Sequence, residues 1–91
     1  MSYSVRVSSP AAAQIRAAAD WWLENRTKAP EAFSEEIEKG FELARAWPFA
    51  GEAVSHPHLA GVRRILLGRI RYYLYYRASS ETETIDILAL W

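Results

Sequence analysis

The 91 residues, 51% hydrophobic and 13% aromatic, suffice for one compact domain over 1–91 with a modest core, burying about 60% of its unfolded surface, and they exclude a disordered chain. Eleven Lys and Arg against eleven Asp and Glu give zero net charge and a pI near 6.7, which argues against strong direct binding to nucleic acid, a mode that needs a basic surplus. Cysteine is absent, no apolar run approaches the ~18 residues of a membrane span, and the opening residues are not a signal peptide, so a cytoplasmic location without membrane contact is expected.

Tyr3 to Ser8 alternates Tyr3, Val5 and Val7 against Ser4, Arg6 and Ser8, the pattern of a strand with one buried face. Ser9-Pro10 reads as an N-cap followed by proline at the first helical position. In the alanine-rich helix that follows, Ala11, Ile15, Ala18 or Ala19, and Trp22 share a face, while Arg16, Asp20, Glu24 and Lys28 form a charged stripe. Ala29-Pro30 ends this helix and opens a second, whose apolar stripe is Phe33, Ile37, Gly40 or Phe41, and Ala44. Trp47-Pro48 stops it, and residues 48–60 read as an irregular connection.

Residues 61–77 are the densest stretch. They combine extended-chain formers with Arg63, Arg64, Arg69, Arg71 and Arg77, and Gly68 falls where a tight turn folds the run into a β-hairpin. On the second arm Ile70, Tyr72, Leu74, Tyr76 and Ala78 point one way, and Arg71, Tyr73, Tyr75 and Arg77 the other. Ser79 to Thr82 is a polar turn, and Glu83 to Trp91 a last strand that becomes apolar on both faces.

This order predicts an α+β fold: a two-layer βααβββ arrangement with a helical hairpin packed on one face of a mostly antiparallel four-stranded sheet. The expected core is Val5, Val7, Ile15, Trp22, Phe33, Ile37, Phe41, Ile70, Leu74, Ile85 and Ile87. Arg6, Arg71, Tyr73, Tyr75 and Arg77, with Asp86 beside them, are expected on the uncovered face.

No catalytic set stands out. His56 and His58 flank Pro57 without nearby cysteine and with few acids, a poor metal site, and no phosphate loop or nucleophile motif is present, so no cofactor, metal or catalytic residue is assigned. Glu31, Glu35, Glu38 and Glu42 look like a solvated helix face. Trp21 must point away from Trp22, so either it packs on the second helix or it is exposed and marks a contact. The remaining constellation is Arg63, Arg64, Arg69, Arg71, Tyr73, Tyr75 and Arg77. Polar residues are normal on a solvent-facing strand, but so many Tyr and Arg together suit recognition of an acidic partner or of single-stranded nucleic acid.

The order of features carries a resemblance. A strand, a Ser-Pro-Ala helix start, two helices ending in Trp-Pro-Phe-Ala-Gly, then Gly-Val-Arg-Arg-Ile-Leu-Leu, Tyr-Leu-Tyr-Tyr-Arg and Ile-Asp-Ile-Leu-Ala-Leu-Trp together resemble the RelE/ParE toxin superfamily over essentially the whole chain. The resemblance implies a bacterial type II toxin in a hetero-oligomer with its cognate antitoxin. One branch of the superfamily cuts messenger RNA on the ribosome; the ParE-like branch poisons DNA gyrase and is tied to plasmid stabilisation. Only Lys28 and Lys39 are lysines, both expected on the helices, and this with the neutral charge and the Tyr-Leu-Tyr-Tyr-Arg run is closer to the ParE-like pattern. That branch implies a ParD-like antitoxin and gyrase as target. The alternatives are a RelE-like endonuclease using Arg63, Arg64, Arg71 and Arg77 on phosphate, and a homologue that only binds antitoxin. Superfamily members usually continue past the last strand into a short tail of the His-Gly-x-Arg kind, whereas this sequence stops at Trp91; that departure bears on toxicity.

Overall fold

In the computed structural model, which describes residues 3–91, the alternating start forms strand β1, Ser4–Val7. The Ser8 hydroxyl accepts the Ala11 N–H at 3.2 Å and caps helix α1, Ser9–Asn25. The cap is therefore one residue earlier than Ser9, and Pro10 takes the second helical position, where an N–H has no partner within the helix anyway. Helix α1 ends four residues before Ala29, because Arg26 leaves helical geometry (φ −128°, ψ 60°). Trp22 Nε1 then donates to the Ala29 carbonyl at 2.8 Å and draws the turn back across the helix end. Lys28 consequently lies in the turn and not on the charged stripe of α1. Helix α2, Ala32–Ala46, starts two residues after Pro30 and stops directly before Trp47 and Pro48.

Five strands form the sheet, not the four expected. Strand β2, Glu52–Ala53, lies inside the segment read as irregular and pairs antiparallel with β3, Val62–Leu67. Two residues are too few for any periodicity to announce a strand. After β3 come β4, Tyr72–Ser79, and β5, Thr84–Leu90. The spatial order is β1-β5-β4-β3-β2, with β1 parallel to β5 and every other pairing antiparallel. The helices cover one face, giving the two-layer α+β arrangement.

Trp22, Phe33, Ile37, Ile70, Leu74, Ile85 and Ile87 are buried as expected, while Val5, Ile15 and Phe41 pack at the core margin. Val7 departs from expectation at 41% exposed: it is the last residue of an edge strand, with a sheet neighbour on one side only. Ile65, Leu67 and Leu90 join the core, as does Tyr76 from the inward set of β4. Full burial of side chains such as Leu74, Ile85 and Ile87 stabilises by about 1.5–3 kcal/mol each. Helix α2 approaches the sheet at Gly40, where a Cβ would lie 2.9 Å from Leu67 Cδ2 and 3.1 Å from Leu74 Cδ2. No helix among the described residues is long and apolar enough to cross a membrane.

Candidate functional site

Directly paired residues of neighbouring strands project to the same face, so the β3–β4 register sorts the hairpin. Arg64 lies opposite Tyr75 and Leu66 opposite Tyr73, all on the face without helices, whereas Arg63 opposite Tyr76 and Ile65 opposite Leu74 face the core.

On the uncovered face the Arg64 guanidinium stacks on Tyr73, 4.2 Å from the ring centroid, and Arg64 Nε is hydrogen-bonded to Glu52 of β2. The rings of Tyr73 and Tyr75 are 6.2 Å apart. The Tyr75 hydroxyl first, and Glu52 second, hold Arg64 above the ordinary guanidinium pKa, so it is cationic at every accessible pH. Towards the other end, Arg6 and Asp86 form a two-pronged ion pair at 2.8 and 3.2 Å. Arg77 also faces this side, its Nε donating to the Ala60 carbonyl at 3.3 Å.

Beside this polar cluster runs an apolar groove of about 440 Å³ lined by Leu59, Val62, Tyr75, Leu88, Ala89 and Trp91. A bulge creates it. Tyr75 pairs with Ala89 but Tyr76 pairs with Ile87, leaving Leu88 as an extra residue in β5 and bringing both Leu88 and Ala89 to the groove. Trp91, 79% exposed, closes one end while its backbone still pairs with Tyr73, at 2.8 and 3.0 Å. Residue-by-residue reading missed this groove; the signal for it was the apolar character of both faces of β5 near its end.

The structure therefore brings Arg64, Tyr73, Tyr75 and Arg77 together and separates the other three candidates. Arg63 points to the helix side, donates to the Gly51 carbonyl at 2.8 Å and lies 5.6 Å from the Phe49 ring. Beside it the buried Tyr76 hydroxyl accepts the Gly51 N–H at 3.0 Å, and burial pushes the pKa of this phenol up. Gly51 has no room for a Cβ, which would sit 2.5 Å from Tyr76 Oη. Arg63 is thus part of a clasp holding the 48–53 segment against the sheet.

Arg69 and Arg71 lie in the β3–β4 turn and not on the strand face. That turn is four residues long, 68–71, with Gly68 in it as expected, and Arg71 is its left-handed residue (φ 61°). Arg69 pairs with Glu35 of α2 at 3.2 Å. Trp21 is 46% exposed with Arg26 5.0 Å over its ring, which resolves the choice between packing on α2 and facing solvent towards the latter. The His56 and His58 rings lie 5.6 Å apart, tilted at 50° to each other, and among the described residues no group of three metal-ligating side chains gathers.

A family model described as the ParE toxin of the type II toxin-antitoxin system parDE matches residues 5–91. Among solved structures, a chain of the chromosomal ParDE system from P. aeruginosa superposes with a TM-score of 0.74 at 26% identity, covering 97% of this chain and 92% of that one. A chain of the toxin-antitoxin complex RelBE2 from Mycobacterium tuberculosis gives a TM-score of 0.71 at 22% identity, covering 99% and 96% respectively, a likeness of fold. No curated protein sequence matches.

Proposed function

The chain belongs to the ParE toxin family of type II toxin-antitoxin systems, and from that membership we propose that residues 1–91 form one toxin domain that binds and poisons DNA gyrase. A ParD-like antitoxin neutralises it by covering the helix-free face of the sheet. The observation that carries the antitoxin reading is the pairing, on that face, of a preorganised Arg64, Tyr73 and Tyr75 cluster with an adjoining apolar groove. Aromatic and arginine anchors beside a groove suit an amphipathic segment with acidic residues on one side.

Protein binding is favoured over phosphate chemistry because the arginines do not converge. Arg63 is committed to Gly51 and Arg71 sits in a turn, so the four guanidinium groups that a nuclease reading would use do not share one pocket. The test is expression without antitoxin, with chromosomal DNA and messenger RNA examined after growth stops. Double-strand breaks with intact messages are the expected result. Codon-specific message cleavage with intact DNA would assign the chain to the nuclease branch, and continued growth would assign it to antitoxin binding alone.

A further inference from the structure

At one end of the molecule, the β3–β4 turn and the end of α1 face each other across a cleft of about 470 Å³, lined chiefly by Trp21, Arg26, Arg69, Ile70, Arg71 and Tyr72. Three arginines line it in a chain of zero net charge. Among the described residues one carboxylate pairs with any of them: Glu35, with Arg69 at 3.2 Å. Among the described residues the Arg26 side chain donates only to the Asn25 carbonyl, at 3.2 Å, and it lies over the Trp21 ring. Arg71 is in no salt bridge among the described residues and is held at the cleft by a left-handed backbone that side chains rarely adopt. Between the cations the surface is apolar and aromatic, with Ile70 buried, Tyr72 half-buried and Trp21 half in solvent.

We propose that this cleft is a second binding site, for an acidic peptide segment in which carboxylates flank an apolar side chain. The carboxylates would pair with Arg26 and Arg71, and the apolar side chain would lie between Trp21 and Tyr72. Charge complementarity selects this occupant: the local excess is two positive charges, and planar guanidinium groups pair best with carboxylate or phosphate. A nucleic acid strand fits less well. It needs open aromatic faces for base stacking, and the indole of Trp21 is already covered by Arg26. The site is distinct from the helix-free face, because Tyr72 and Tyr73 project to opposite sides of β4. The inference therefore stands whether or not the antitoxin occupies that face.

The test uses the purified chain and an acetylated, amidated peptide, Glu-Leu-Glu-Glu-Leu-Glu, followed by tryptophan emission, with Trp21→Phe to assign the signal. Saturable binding is expected, weakened about tenfold or more by Arg26→Gln with Arg71→Gln and unchanged by Tyr73→Ala with Tyr75→Ala. Far-ultraviolet dichroism and the melt confirm that each variant is folded. Three results overturn the proposal: no saturation at about 1 mM peptide, a dissociation constant too weak for a built site; tighter binding of hexathymidylate than of the peptide, which makes the ligand a phosphate; or loss of peptide binding in the tyrosine pair alone, which places the peptide on the sheet face.

Discussion

Strand β4 carries tyrosines to both faces of the sheet, and the two faces use them differently. Tyr76, on the helix side, is completely buried, and its hydroxyl is satisfied by the Gly51 N–H. Tyr73 and Tyr75, one step away on either side of Leu74, are half-exposed and held by Arg64 and by each other. A phenol buried with a partner for its hydroxyl adds to folding stability. A phenol kept in place at the surface adds little to stability, but loses little entropy when a partner covers it. The same residue type thus supports the fold on one face and is available for recognition on the other.

The contrast is tested most severely by Ile37→Asp, which places an unpartnered carboxylate in the helix-side core. A cost of several kcal/mol against a total stability of about 5–10 kcal/mol should leave the chain unfolded at ambient temperature. A cooperative melt near the wild-type temperature would show that the core does not depend on this face. On the other side, Tyr73→Ala with Tyr75→Ala should weaken the antitoxin complex at least ~30-fold, about 2 kcal/mol, with the thermal midpoint of the free toxin nearly unchanged. Unchanged affinity together with a lowered midpoint would reverse the roles assigned to the two faces.

Tyr76→Phe sharpens the comparison by removing only a hydroxyl. It leaves the Gly51 N–H buried without a partner, and should cost about 1–3 kcal/mol in a denaturant titration while antitoxin affinity is retained. The effect has a pH signature. Because burial raises the Tyr76 pKa, the folded state holds the phenol proton more tightly than the unfolded state does. That contribution is fully present below the ordinary tyrosine value of 10.0 and is lost as pH rises through the raised value. The stability gap between wild type and Tyr76→Phe should therefore narrow above about pH 10; a gap that widens there would contradict the burial argument. The smallest expected effect is that of Arg6→Ala. It removes the ion pair with Asp86, whose side chains are 65% and 37% exposed, and should change stability by no more than about 0.5 kcal/mol, with even that difference fading in high salt.

The order of elements was legible because each long one is strongly periodic: the two apolar helical stripes and the alternation along 72–78 hold in the structure, while Ile70 and Arg71, expected in the same alternation, fall in the turn. Strand β2 was not legible, because two residues carry no period and its pairing is decided by where β3 lies. Arg63 could not be assigned a side from sequence. Along β3 both alternating sets, Val62, Arg64, Leu66 and Arg63, Ile65, Leu67, mix arginine with apolar residues, so only the register across the four-residue turn separates them. The groove was hidden for a related reason. Alternation assumes an unbroken ladder, and the extra residue Leu88 breaks it where the groove forms.

The parallel pairing of β1 with β5 bears on when this fold is completed during its synthesis. Their contacts join residues 80 positions apart, as between Arg6 and Asp86, and β5 is an interior strand of the completed sheet, between β1 and β4. Among the described residues it is also the last of seven elements in chain order, and so the last of them to leave the ribosome. A nascent chain can assemble the helical hairpin and the β3–β4 hairpin early, since both are local, but β1 has no partner and the core lacks Ile85 and Ile87 until β5 has been made. Apolar surface on every incomplete chain stays open to solvent, and the helix-free face gains Leu88, Ala89 and Trp91 only with this final strand. The core and the helix-free face are therefore completed together, in a single step.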